Sequence, residues 1–268
     1  MFEGPEDELV LTENAQPALM AVSMAALRVL EKEGGFSLPD KASFVAGHSL
    51  GEYSALAAAG TFSIADTARL LKTRGQAMQK AVPVGEGAMA ALLGLDLDVA
   101  SEIAEVAAST GVCQCANDNA PGQVVISGAV AAVEKAMEYA KERGAKRAIK
   151  LPVSAPFHCS LMAPAADVMA EALAEVTMNA PSVPLVANVI ASSTSDPDQI
   201  RELLVEQVTS MVRWSESVTW MGDNGVDTLV EIGAGKVLSG LARRINRDMT
   251  SFNVGTPADV EAVLAAIS

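Results

Sequence analysis

Five residues, GHSLG at Gly47 to Gly51, constrain this chain more than any other stretch. They follow a short apolar run, Ala42 to Ala46, without a loop, and lead at once into the helix-forming SALAAAG that ends at Gly60. A chain that passes from strand to helix so quickly must turn sharply, and a glycine on each side of the serine lets the backbone do so. In that setting G-x-S-x-G reads as a nucleophile elbow with the Ser49 hydroxyl exposed at its tip. The backbone N–H groups that follow, Leu50 first, then face the oxygen that becomes negative when Ser49 attacks a carbonyl.

Serine is a weak nucleophile without a base, and the chain holds two histidines. His48 adjoins Ser49, where the sharp turn directs it away from the hydroxyl. His158 remains, in LPVSAPFHCSLM, after a strand candidate and ahead of a helix candidate. No Asp or Glu lies close to it in sequence, but a backbone carbonyl can orient an imidazole by accepting its other ring proton. A Ser49–His158 dyad is therefore the expected reactive pair.

The apolar phase of the chain defines its organisation. A helix begins after Gln16, with Pro17 in its first turn, and runs to Leu30 before Gly34 and Gly35 end it. A second helix spans 64–81 and places Leu70, Leu71, Arg74, Ala77 and Met78 along one side. An arginine there is costly to bury because a guanidinium cannot shed its charge, so Arg74 either snorkels to water or has a use. From 87 to 152 the periods run strand 88–94, helix 98–109, strands 112–116 and 123–127, helix 130–143 and strand 146–151. That order is the split β-α-β-β-α-β motif. Helices near 160–177, 197–210 and 236–246 and strands near 184–187 and 227–232 follow. The expected fold is α/β, with a small subdomain at 83–152, marked off by Pro83 and Pro152, inserted into a large domain made of 1–82 and 153–268.

Composition narrows the function classes. The 33 acidic and 19 basic side chains leave a net charge of −14, which repels nucleic acid and anionic membranes. Two local basic clusters stand against it, Lys141, Arg143, Lys146, Arg147 and Lys150, and Lys236, Arg243, Arg244 and Arg247; each is either a dock for a small acidic partner or an ordinary solvated face. Three cysteines, Cys113, Cys115 and Cys159, make no disulfide framework and point to buried thiols in a reducing compartment, hence a cytoplasmic protein; C-x-C without histidine at ligand spacing is a poor metal site. The acidic opening MFEGPEDELV lacks the basic region and apolar core of a secretory signal, and PALMAVSMAALRVL is too short to span a bilayer. EIGAGKVLSG at Glu231 to Gly240 has Leu238 where a dinucleotide loop needs its third glycine, and Val237 follows Lys236 where a phosphate loop needs Ser or Thr. No metal or cofactor is expected.

Together, GHSLGEYSAL, the arginine in KTRGQAMQ, ANDNAPGQVVISG and SAPFHCSLM resemble the malonyl-CoA:acyl carrier protein transacylase family of fatty acid synthesis over essentially the whole chain, and the acyltransferase domains of polyketide synthases. The resemblance implies a hydrolase-like α/β domain carrying a ferredoxin-like subdomain, with malonyl-CoA and acyl carrier protein as partners; a monomer is the default expectation. It implies Ser49 as nucleophile, His158 as base and then acid, and Arg74 as partner of the malonyl carboxylate, with Met78 lining the same pocket. It further implies Asn119 at the cleft entrance and Gln207, in VEQVTSMVRW, as the residue whose backbone carbonyl orients the histidine. Family members begin with a strand and a GQGSQ loop that adds an oxyanion donor; this sequence starts past both, so the expectation is a sheet one strand short and the loss of a donor worth about 2.7–4 kcal/mol. Two alternatives accompany this reading, a serine thioesterase or hydrolase of acyl-CoA and a carrier-protein-binding remnant without working chemistry.

Overall fold

The computed structural model describes residues 3–35, 37–153 and 155–267; Met1 and Phe2 of the opening run and Ser154 of SAPFHCSLM lie outside the described residues. The chain opens with α1 (Glu6–Leu9), α2 (Thr12–Gly34), α3 (Leu38–Lys41), β1 (Val45–Ala46), α4 (Leu50–Ala58) and α5 (Ile64–Ala81). Its middle run is β2 (Gly87–Leu93), α6 (Leu97–Ala107), β3 (Cys113–Ala120), β4 (Gln123–Ala129), α7 (Val130–Glu142) and β5 (Arg147–Lys150). Then come α8 (Ala163–Ala174), β6 (Leu185–Ala187), β7 (Ser192–Thr194), α9 (Pro197–Glu206) and β8 (Val212–Arg213). The last elements are α10 (Trp214–Asp223), β9 (Thr228–Ile232), α11 (Val237–Ile245), β10 (Thr250–Val254) and α12 (Pro257–Ile267).

Among the described residues the strands form three sheets. In the middle run the order is β5-β2-β4-β3, antiparallel throughout, with α6 and α7 covering one face through Ala100, Ile103, Val133 and Ala136. The two-residue β8 then adds to β3 in parallel and stitches the last third of the chain onto this sheet. A second sheet, β1-β6-β7, pairs β1 with β6 in parallel and carries the serine turn at the end of β1. The third is the parallel pair β9 and β10. β1 and β9 each lie at the margin of their sheet, and residues of both line one cavity of about 750 Å³ floored by Leu19, Met24 and Leu27 of α2.

Three local expectations differ from what forms. The first helix starts at Thr12, five residues before Pro17, which sits inside it. A proline lacks its N–H and its ring crowds the carbonyl four residues back, a cost borne here only five residues from the helix start, where little of the hydrogen-bond ladder is lost. The strand expected over 42–46 shortens to Val45–Ala46, since only these residues find a partner, Leu185 and Val186. The helix expected to reach 210 ends at Glu206, with Gln207 as its C-cap. Cys115 is half-buried, whereas Cys113 and Cys159 are buried, and all three thiols are free. Among the described residues no helix is long and apolar enough to cross a membrane.

The main core joins Met20, Met24 and Leu27 of α2 to Leu56 of α4, Leu71 and Met78 of α5, and Met169 and Leu173 of α8. At the α2–α5 crossing the backbones nearly touch: a Cβ on Gly75 would lie 2.4 Å from Glu13 Cα and 2.8 Å from the Thr12 carbonyl oxygen. This approach brings the neighbours of Gly75, Arg74 and Met78, against Gln16. Gly75→Ala should gain up to about 1 kcal/mol of helix propensity and lose more by driving two backbones apart. We expect a net loss of about 1–2 kcal/mol, seen as a lower midpoint in urea; an unchanged or raised midpoint would contradict the packing argument.

Candidate active site

Ser49 stands between β1 and α4 with φ 53° and ψ −111°, in a region L-residues avoid. A Cβ on Gly47 would fall 2.0 Å from both the carbonyl carbon and the oxygen of Gly51, so only glycine permits so tight a turn. The buried side chain of Asn188, just after β6, clamps it from the other side. Its Oδ1 accepts the Ser49 N–H at 2.8 Å and its Nδ2 donates to the Gly47 carbonyl at 2.7 Å. These bonds repay part of the strain, which runs at about 1–3 kcal/mol for such a conformation. Leu50 N–H, the first amide of α4, has no acceptor among the described residues. It is an open donor at a helix N-terminus, beside the serine hydroxyl.

His158 precedes α8 and also has a left-handed backbone, φ 57°. Its Nε2 lies 2.8 Å from Ser49 Oγ and its Nδ1 2.8 Å from the backbone oxygen of Gln207. A carbonyl oxygen only accepts, so Nδ1 carries the proton and Nε2 is left to take one from the serine. That carbonyl is available because α9 stops at Glu206 and no further helical turn uses it. Burial, then the positive charge of Arg74, pushes the His158 pKa down to about 3, so the imidazole is neutral at physiological pH. His48 points elsewhere: its Nε2 donates to Asn119 Oδ1 at 2.8 Å, which ties the turn to β3.

Arg74 is only 1% exposed and does not snorkel. Its Nη1 donates to Gln16 Oε1 at 2.7 Å, and its Nη2 donates to Gln207 Oε1 at 2.8 Å and to Ser49 Oγ at 3.1 Å. The Tyr53 ring lies 5.6 Å from the guanidinium carbon; its hydroxyl helps to hold the cation but falls short of hydrogen-bond geometry. Arg74 Nε–H is buried without an acceptor among the described residues. Burial lowers the Arg74 pKa, opposed by Tyr53 and Glu52 nearby. A guanidinium in this setting remains a cation. Met78, one turn along α5, is buried and lies 3.8 Å from Gln16 Nε2 through its sulfur.

The structure thus gathers Ser49, His158, Arg74 and Gln207 within direct hydrogen bonds, with Leu50 and Met78 beside them, while Asn119 joins through His48. Three further residues went unread in the sequence. Gln16 was visible as a polar member of the row Gln16, Met20, Met24 and Leu27, the same signal that singled out Arg74. Glu52 lies inside the motif itself, fully buried, its Oε2 accepting from the Asn188 backbone N–H and from Gln207 Nε2, both at 3.0 Å. Asn188 had no local signal, because the two elbow residues it clamps, Ser49 and Gly47, are more than 130 residues away. Among the described residues no three His, Cys, Asp or Glu side chains come together to hold a metal. At EIGAGKVLSG the Glu231 carboxylate accepts from the N–H groups of Leu238 and Ser239 and so occupies the start of α11 where a phosphate would sit.

The site contains two groups of opposite pH behaviour. Burial raises the Glu52 pKa to about 7, partly offset by its bonds from Asn188 and Gln207 and by Arg74. Folding then favours the protonated glutamate, so its contribution to stability falls as pH rises from about 4.5 to 7. For His158 the folded pKa is depressed, and stability rises with pH from about 3 to 6.5. Between 4.5 and 6.5 the two oppose each other. Glu52→Gln removes the first, so the stability of the variant relative to the parent should climb with pH over this window by up to about 1.4 kcal/mol per unit. Urea midpoints at several pH values test it, and a pH-independent difference would refute the assignment.

Comparison with known proteins gives consistent relatives. A sequence model of the acyl transferase domain matches residues 1–255. The malonyl CoA-acyl carrier protein transacylase of Bacillus subtilis is 47% identical over 268 residues, spanning 100% of this chain and 83% of its own. The crystal structure of an acyl-carrier-protein S-malonyltransferase from Bartonella henselae is 60% identical with a TM-score of 0.95, covering 99% of this chain and 84% of that one. A malonyl-transacylase solved in complex with a type II PKS acyl-carrier protein is 42% identical with a TM-score of 0.95, over 98% and 84% of the two chains.

Proposed function

The chain belongs to the acyl transferase family, among the malonyl-CoA:acyl carrier protein transacylases, and from that membership we propose the route by which it moves malonyl from CoA to the carrier-protein thiol. Ser49 is the nucleophile. Neutral His158 takes the Ser49 proton at Nε2 as Oγ bonds to the malonyl thioester carbon, and the carbonyl oxygen, now negative, is received by Leu50 N–H. The tetrahedral species collapses, the carbon–sulfur bond breaks, and His158 returns the proton to the departing CoA sulfur. Malonyl-Ser49 remains. In the second half the carrier-protein phosphopantetheine thiol gives its proton to His158 and attacks the ester carbon, and Ser49 leaves with that proton. No metal or cofactor enters.

The observation that carries substrate choice is the unpaired Nε–H on a buried guanidinium whose Nη2 is 3.1 Å from the nucleophile. The free carboxylate of a malonyl group on Ser49 lies two bonds beyond the ester carbonyl carbon, within reach of this donor. It meets a cation already desolvated and held by Gln16 and Gln207, so the malonyl charge is paired without reorganisation. An acetyl group leaves the donor unmatched, the kind of mismatch that rejects an analogue strongly. Met78 shapes the apolar wall beside Arg74, and Asn119 holds His48 back from the acyl group. Residues 83–152 act as a subdomain that meets the serine turn through the Asn119–His48 bond, and the free thiols suit a cytoplasmic enzyme.

Docking of the carrier protein falls to the second basic cluster. Arg244 reaches across to Gln123 Oε1 and the Pro121 carbonyl on the β3–β4 turn, next to Asn119. Arg143 and Lys150 of the first cluster are instead engaged with Glu102 and Glu134. An acidic carrier steered to Arg243 and Arg244 would bring its thiol to the serine side of the molecule.

Three measurements test this reading. Ser49→Ala should abolish the covalent malonyl adduct in intact-mass spectra, and an undiminished adduct would end the proposal. Arg74→Ala should cut the preference for malonyl over acetyl by tenfold or more; a preserved preference would refute the carboxylate pairing. Reversal of Arg243 and Arg244 to glutamate should raise the KM for carrier protein several-fold and flatten its salt dependence, whereas an unchanged KM would move docking elsewhere.

A further inference from the structure

Glu52 is a buried carboxylate that the reaction above does not use. It sits on α4 one turn after Ser49, fully buried. Both of its hydrogen bonds fall on Oε2, from Asn188 N–H and Gln207 Nε2, while Oε1 has no partner among the described residues. No cation among the described residues touches it directly; Arg74 acts on it only at a distance. An isolated buried carboxylate is expensive, and an apolar side chain or an amide would fill the same space for less.

What the charge accomplishes is visible in Gln207. A glutamine amide has a donor end and an acceptor end of nearly equal shape, and its surroundings decide which way it points. Around Nε2 of Gln207 stand three acceptors, Glu52 Oε2 at 3.0 Å, the Ser49 carbonyl at 3.1 Å and Asn188 Oδ1 at 3.4 Å. Oε1 is thereby left facing Arg74 Nη2 at 2.8 Å. A reversed amide would set its oxygen against the Glu52 carboxylate and its N–H groups against the guanidinium, two repulsions among side chains buried from solvent. Glu52, together with the Ser49 carbonyl and Asn188 Oδ1, therefore favours the orientation in which the amide oxygen faces Arg74.

We propose that Glu52 is a positioning residue for acyl selection: its carboxylate keeps the Gln207 amide oxygen turned to Arg74 and so sets the guanidinium where it receives the acyl carboxylate. This rests on the reading of Arg74 given above. It separates from a plain structural pin, for which an amide in place of the carboxylate would serve as well, because the oxygen of that amide could still accept from Asn188 and Gln207.

The experiment is a double-mutant cycle on the full chain, with Ser49 acylation by malonyl-CoA and acetyl-CoA followed by intact mass and steady-state kinetics. Glu52→Gln should lower the malonyl-over-acetyl ratio at least fivefold, mainly through a higher KM for malonyl-CoA, and should change that ratio less than twofold when Arg74 is already alanine. Equal losses for both acyl groups, no loss at all, or a full effect in the Arg74→Ala background would each overturn the proposal. If Arg74→Ala alone leaves the ratio intact, the reading of Arg74 fails and takes the proposal with it, a result distinct from failure at Glu52 only. Should Glu52→Gln not fold, Gln207→Met breaks the same link from the other end. It should cost the same selectivity, and a retained ratio would overturn the proposal.

Discussion

A guanidinium that cannot give up its proton lies buried between α2 and α5, and much of the architecture around it serves to make that tolerable. Gln16 and Gln207 supply oxygen atoms, the Tyr53 ring supplies a π face, and Glu52 lies one amide away, behind Gln207. None of these is a carboxylate in contact with the arginine. In the proposed reaction that unmatched donor is the source of specificity: the cation is held well enough to fold, and an N–H is left for an acid that arrives with the substrate. The contact of two helix backbones at Gly75 follows from the same requirement, since it brings Gln16 within reach of Arg74.

The proposed nucleophile and its base share a second cost. Both Ser49 and His158 have positive φ, and each is pinned by a bond from a distant segment, Asn188 for the one and the Gln207 carbonyl for the other. Strain of this kind persists only where surrounding contacts over-determine the conformation. The buried Glu52, raised toward neutral pH, and the buried neutral His158 work against stability on opposite sides of pH 5–6. Stability is given up in the place where the reactive geometry is held, a trade that enzymes commonly make.

Much of this could be read along the chain because the signals are local. GHSLG defines its turn through glycines whose absence of a Cβ is decisive, and Arg74 stands out from the periodic row that places it on a buried face. The β-α-β-β-α-β alternation in the middle run was legible from changes of period, down to helix bounds within a few residues. Short strands fared worse. β8 has two residues and exists because β3 offers it an edge, and β7 has three that form only against β6. Such segments carry no pattern long enough to register before the partner strand is in place.

By itself the sequence determined the chemistry available: a serine on a strand-to-helix turn, one histidine free to act as base, a cation on an apolar face, and family motifs tying them to acyl transfer. Only the tertiary structure decided how these groups act on one another. It ended α9 so that the Gln207 carbonyl could fix the His158 tautomer, and it brought Asn188 to the elbow across more than 130 residues. It also set Glu52 to orient the amide facing Arg74. The reason is physical. Turn geometry and helix phase depend on neighbours along the chain, whereas the direction of a buried hydrogen bond depends on which donors and acceptors folding brings within about 3 Å.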